Sequence, residues 1–136
     1  MIRNHQRAAR AHGHVAAVLA ESKRREGDSA DKLKRGYGSI CHKLPILIHN
    51  EGLAVALHFT AGRDADKRRL LVHLADQLQE AGLLKEPTAD ALLAKTHSAD
   101  LAGTQTLTRE VQRCLDWYKR FTKSVLKIDS GEGDDQ

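Results

Sequence analysis

Leu44-Pro45-Ile46-Leu47-Ile48-His49-Asn50-Glu51-Gly52-Leu53-Ala54-Val55-Ala56-Leu57-His58-Phe59 decides how this chain is read. Two apolar runs of helical type stand on either side of Asn50 and Gly52. A proline sets its own φ and disfavours helix in the residue before it, so Pro45 is expected to open the first run after a break at Leu44. Gly52 can take the positive φ that closes one helix before the next begins. The segment reads as a buried helical corner of fixed shape.

Outward from this corner, the 136-residue chain fits one ordinary domain, and an all-α bundle of five to six helices over residues 1–128 is expected. Apolar residues make up 40% of it and aromatic ones only 4%, so the core must be built from Ala, Leu, Val and Ile, which favours helices. The formal charge of +4 is unevenly spread. Residues 129–136 hold four acids and no base, and without them 22 basic residues face 14 acidic ones, a formal +8. A body this basic fits either a polyanionic partner or a merely solvated surface. The acidic, glycine-containing end itself is expected to be disordered.

Helical periodicity runs from about Ile2 to Arg25, with Ala8, Ala11, Val15, Val18, Leu19 and Ser22 on one face. Arg3, Arg7, Arg10 and His14 form a separate stripe about 110° round that helix. Gly27 breaks it, and Asp28 can cap a second helix over about Ser29 to His42. Gly36 and Gly38 weaken that helix and can admit a close neighbour. The short helix from Leu53 ends near Gly62, and Asp64 or Asp66 can cap a fourth that Gly82 stops. Pro87 suits the first turn of a fifth helix reaching Lys95. The polar stretch from Thr96 to Gln105 reads as a loop, and Thr106 or Thr108 as the cap of a last helix to about Lys127. No strand alternation and no repeat of solenoid period is visible.

Little in the sequence points to catalysis. The eight histidines form no HExxH and no nucleophile motif, Cys41 and Cys114 form no zinc spacing, and the glycines match no phosphate loop. No metal or cofactor is expected. A histidine pair brought together across helices is the one route to acid–base cleavage of RNA. No signal core and no membrane-length apolar run is present, so a cytoplasmic protein with reduced thiols and no membrane contact is expected.

The last helix is the clearest two-faced element. Leu107, Val111, Cys114, Leu115, Tyr118, Phe121, Thr122 and Val125 share one side, with Trp117 on its border. Arg109, Arg113, Arg120, Lys123 and Lys127 gather on the other, with Asp116 among them. Such a pattern usually means a core face and a solvated face. Together with Arg3, Arg7, Arg10 and the run Lys67-Arg68-Arg69, it can also form a surface for a nucleic-acid backbone. Arg3, Arg7, Arg10, Lys67, Arg68, Arg69, Arg113, Arg120 and Lys123 are the candidate contacts. An adaptor binding only protein is the alternative.

Three blocks resemble, in order, the small helical subunit of the type III-B CRISPR effector, the Cmr complex. They are Arg7-Ala8-Ala9-Arg10-Ala11, then Tyr37 to Phe59 with Leu44-Pro45, Asn50, Gly52-Leu53 and Ala56-Leu57-x-Phe59, then Leu107-Thr108-Arg109-Glu110-Val111 followed by Trp117-Tyr118-Lys119-Arg120-Phe121. The chain departs from the family at Asp100 to Gly103, where a tyrosine is usual, and at Thr122, where alanine is usual. The resemblance implies a non-catalytic subunit that stacks in several copies along a guide RNA–target RNA duplex. Its partners would be that duplex, further copies of itself and the other Cmr subunits, including the large polymerase-like one. It would grip the duplex by shape and backbone charge, and RNA cleavage would belong to other subunits.

Overall fold

The computed structural model describes residues 2–129; residues 130–136 of the expected acidic tail lie outside them. The described residues form six helices: α1 (Ile2–Arg24), α2 (Asp28–Glu51), α3 (Leu53–Ala61), α4 (Ala65–Glu80), α5 (Ala89–Ser98) and α6 (Leu101–Ser124). α2 packs against α1, α3, α4 and α6, while α6 lies against α1, α2 and α4. α5 closes one end over α3 and α4. The all-α bundle expected from composition is what forms.

The opening segment corrects one expectation. Pro45 does not start a helix; it sits inside α2, which runs unbroken from Asp28 to Glu51. An interior proline costs about 3 kcal/mol of helix propensity. Leu33, Tyr37, Ile40, Cys41, Leu44 and Ile48 are all buried at three- and four-residue spacing across it. That continuous core stripe outweighs the local penalty, because tertiary burial of each such side chain is worth about 1.5–3 kcal/mol. Gly52 does take positive φ, at 92°, and its N–H caps the helix on the Ile48 carbonyl. The segment is only half buried: Leu44, Ile48, Leu53, Ala56 and Leu57 face inward, while Ile46, Val55 and Phe59 are exposed.

Four smaller boundaries also differ. Asp28 is the first residue of α2, with Gly27 in the cap position and no side-chain capping bond. α5 starts after Pro87, capped by the Thr88 hydroxyl accepting from the Ala91 N–H. The polar stretch Thr96 to Gln105 is mostly helical. The Asp100 carboxylate accepts from the Gly103 N–H and starts α6 well before the expected caps. Thr106 and Thr108 are therefore interior residues, and their hydroxyls donate back to the carbonyls of Ala102 and Thr104. At the other end α6 stops at Ser124 rather than Lys127.

Two glycines are fixed for different reasons. A Cβ on Gly38 would lie 2.8 Å from Ile128 Cγ2 and 3.0 Å from Thr122 Cγ2, so this glycine lets the chain after α6 fold back over α2. A Cβ on Gly52 would meet nothing within 4 Å, so its neighbours do not constrain it and only its φ does. Gly38→Val is expected to cost about 1–3 kcal/mol by overpacking. Gly52→Ala should cost about 1–3 kcal/mol by backbone strain, because φ 92° with ψ 161° is a conformation that essentially only glycine adopts. Adding Ile128→Ala should recover part of the first loss and none of the second. Urea unfolding midpoints that respond identically in both pairs would contradict this division.

Candidate nucleic-acid interface

α6 presents a ridge of cations because its apolar positions fix its rotation. Leu107, Val111, Cys114, Leu115 and Tyr118 are fully or almost fully buried. The opposite side then carries Arg109, Arg113, Asp116, Arg120 and Lys123, all exposed. Arg109, Arg113 and Lys123 make no ion pair among the described residues. Arg120 lies over the Trp117 ring, its Cζ 4.8 Å from the centroid. On the α2 side of the ridge an open groove is lined by Ile48, His49, Thr108, Arg109, Gln112 and Arg113. Gln112 fixes that edge by donating to the Pro45 carbonyl at 3.0 Å. Asp116 is the one acid on the ridge.

The α1 stripe is differently placed. Arg7 is buried, and its Nε and Nη2 donate to both oxygens of Glu110 at 2.7 and 2.8 Å. Arg3 adds a third bond to the same carboxylate at 2.8 Å. Burial alone would raise the Glu110 carboxyl; the hydrogen bonds from Arg7 and Arg3 prevail and hold it at about 2. Arg10 is held by Asp76 and Glu80 of α4, at 2.8 and 2.9 Å. These arginines clamp α1 to α6 and α4. Of the α4 run, Lys67 is buried and keeps interactions of its own, Arg68 is exposed and Arg69 is half-buried. In this conformation Arg7 and Lys67 cannot reach a phosphate outside. Arg3 and Arg10 stand at the surface with their charge already matched.

Beneath Arg10 lies a polar cluster that the sequence did not reveal. His14 Nε2 lies 3.0 Å from Asp76, a carboxylate that can only accept, so this nitrogen carries the proton. Nδ1 is then free to accept from the Tyr118 hydroxyl at 2.7 Å. The His14 ring stacks on His73, centroids 4.2 Å apart and planes 4° from parallel. His73 Nδ1 is 2.6 Å from the Tyr37 hydroxyl, and Gln77 donates to the Arg7 carbonyl at 3.1 Å. Burial first, and then the charge of His14, push His73 down to about 3; burial also lowers His14. Burial drives the Tyr37 and Tyr118 hydroxyls well above their usual range. Both thiols are buried and free, with burial pushing Cys41 up to about 12 and Cys114 above its ordinary value. Near neutrality His73 is uncharged and both thiols and both phenols keep their protons.

A second histidine pair forms at the surface, where His58 of α3 and His97 of α5 bring their Nε2 atoms within 2.7 Å. An acid–base pair for RNA cleavage must stand on opposite sides of a phosphate, and this spacing leaves no room for one. Among the described residues no group of three His, Cys, Asp or Glu side chains is placed to hold a metal ion. No helix among them is long and apolar enough to cross a membrane.

The sequence did hold a signal for the Glu110 clamp. Leu107, Glu110, Val111 and Cys114 share one inward stripe, and a carboxylate in such a stripe demands a cationic partner. Arg7 sits at matching depth on α1. The His14–His73 stack had no such signal, because it depends on the approach of α1 to α4.

Comparison with known proteins agrees with this architecture. The model of the family described as "CRISPR-associated protein (Cas_Cmr5)" matches residues 3–125. The chain is 30% identical over 119 residues to the "CRISPR system Cmr subunit Cmr5" of Thermus thermophilus, covering 87% of this chain and 98% of that protein. It is also similar to the crystal structure of a CRISPR-associated Cmr5 family protein from the same organism. The TM-score is 0.71 at 25% identity, over 91% of this chain and 96% of that one. With a basic six-helix bundle, the Trp117-to-Phe121 ending on its last helix and a family match spanning nearly all the described residues, the chain belongs to the Cmr5 family, the small subunit of the type III-B CRISPR Cmr complex.

Proposed function

We propose that this chain is a non-catalytic subunit that stacks in several copies along the guide RNA–target RNA duplex of a Cmr complex and contacts its backbone through the α6 ridge. The observation that carries this reading is the split among its cations. Arg3, Arg7 and Arg10 are matched by Glu110, Asp76 and Glu80, whereas Arg109, Arg113 and Lys123 project from α6 without an acidic partner among the described residues. Unmatched cations along one helix suit the regularly spaced phosphates of a duplex, whose recognition by shape and charge needs no base contact. Arg68 and Arg69 of α4 supply a second, smaller contact, with Arg3 and Arg10 at the margin. The exposed apolar residues Val55, Phe59 and Val72 on α3 and α4 support docking on the other Cmr subunits, the large polymerase-like one or another copy among them.

Reversing Arg113, Arg120 and Lys123 to glutamate should leave helix content and melting nearly unchanged, since the three are exposed. Affinity for duplex RNA should fall by at least tenfold at low salt. The slope of log affinity against log salt should become shallower by about 2–3, one released counterion per lost contact. Undiminished affinity with an unchanged slope would show that the ridge is only solvated and would favour an adaptor that binds protein alone.

A further inference from the structure

Beside the cation ridge, on its α1 side, stands an aromatic group that the duplex reading leaves unused. Trp117 and Phe121 lie one turn apart on α6, nearly parallel, with centroids 5.8 Å apart and planes at 23°. The indole N–H donates to Asn4 of α1 at 3.0 Å, which fixes the tilt of the ring. His12 of α1 sets its edge against Phe121 at 5.2 Å and 87°. Both rings are only half-buried, although the core accommodates the whole side chains of Tyr37 and Tyr118. The face of Trp117 is covered by one movable group, the exposed guanidinium of Arg120.

We propose that Trp117 is a stacking site for an unpaired RNA base, with Arg120 as its displaceable cover; this rests on the α6 ridge being the duplex-facing surface. Three features point the same way. The indole is anchored by its hydrogen bond to Asn4 and by packing on Phe121, so less freedom is lost when a base stacks on it. A base–aromatic stack is stronger than an exposed cation–π contact, so a base can displace Arg120. The displaced guanidinium keeps its charge beside Arg113 and Lys123, where the phosphates flanking a splayed nucleotide would lie. Every base has a π-face, so the site would accept any nucleotide that leaves the helix and would not read sequence. A fully paired duplex offers it nothing. The site therefore discriminates continuous duplex from duplex carrying a displaced nucleotide.

Trp117 is the only tryptophan, so its fluorescence reports the site directly. The test compares the intact protein with two RNAs of equal length and charge, a perfect duplex and one carrying a single-nucleotide bulge. The bulged duplex is expected to bind about five- to tenfold more tightly and to quench Trp117, while the perfect duplex binds without quenching. Trp117→Leu should remove the preference for the bulge and leave perfect-duplex affinity as it was. Arg120→Lys, which keeps the charge and the surrounding packing, tests the cover without disturbing the fold. It should increase quenching by the bulged RNA, since an ammonium covers the indole face less well than a stacked guanidinium. Equal affinity for the two RNAs with no quenching by either would overturn this proposal while leaving the ridge reading intact. Failure to bind either RNA would overturn both.

Discussion

Glu110→Ala is expected to lower stability by about 3–5 kcal/mol, because it leaves the buried Arg7 guanidinium without its partner. Glu110 accepts from Arg7 twice and from Arg3 once, and Arg7 is 6% exposed. A loss of that size is a large part of the roughly 5–15 kcal/mol that holds a domain of this kind together. Urea unfolding should show it as a fall in midpoint at constant slope. The paired replacement Arg7→Met with Glu110→Leu should recover most of the loss, since apolar residues of similar volume can replace a buried ion pair. Recovery would show that the cost lies in the orphaned charge and not in lost shape. A Glu110→Ala protein as stable as the parent would mean that Arg7 finds water instead. The same geometry makes Arg7→Glu a poor probe of RNA contact: it sets two carboxylates against each other inside the protein.

Acid is expected to loosen the protein well before its carboxylates are neutralised. His73 titrates at about 3 in the folded chain against an ordinary 6.5, so the unfolded chain binds its proton more readily. The stability that this group contributes is full above pH 6.5 and is lost as pH falls towards 3. The slope is about 1.4 kcal/mol per pH unit, or about 2 kcal/mol at pH 5. His14, also lowered by burial, acts in the same direction. The groups facing His73 are His14 of α1, Tyr37 of α2, Tyr118 of α6, and Arg69 and Asp76 of α4. Only Asp76 favours the charged ring, and it is already engaged by Arg10. Glu110 adds its own loss below about pH 4.5, where the unfolded carboxyl begins to protonate while the folded one, at about 2, does not. Thermal melts from about pH 8 to 4 should therefore fall from about pH 6.5 downward. His73→Gln offers Tyr37 an uncharged acceptor and should flatten the upper part of that fall. A melting temperature independent of pH between about 7 and 5 would contradict the assignment.

The sequence showed the bundle because the core positions repeat at three and four residues on nearly every helix. Leu70, Leu71, Leu74, Ala75 and Leu78 are all wholly buried, as their spacing on α4 predicts. It misplaced boundaries where a local signal competed with a wider one. Pro45 reads as a break, yet the stripe from Tyr37 through Leu44 to Ile48 continues across it. Thr106 reads as a cap, yet Asp100 reaches the Gly103 N–H first. The ridge on α6 was legible because one helix carries it. Glu110 on its inward stripe signalled a buried cationic partner, but not that this partner is Arg7, 103 residues away. The stripe on α1 read as a candidate RNA contact for the same reason: periodicity gives each helix its faces but not the neighbour each face meets.

We expect the α6 ridge, not the α1 stripe, to meet RNA in the assembled complex. A photo-crosslinking residue placed singly at Arg113, Lys123 and Arg10 in the reconstituted complex, with guide and target bound, tests it most directly. Arg10 is the most exposed arginine of the α1 stripe and serves as the comparison. Crosslinks to RNA from positions 113 and 123, absent or much weaker from position 10, are the predicted result. Crosslinks from position 10 alone, with only protein captured at 113 and 123, would contradict it.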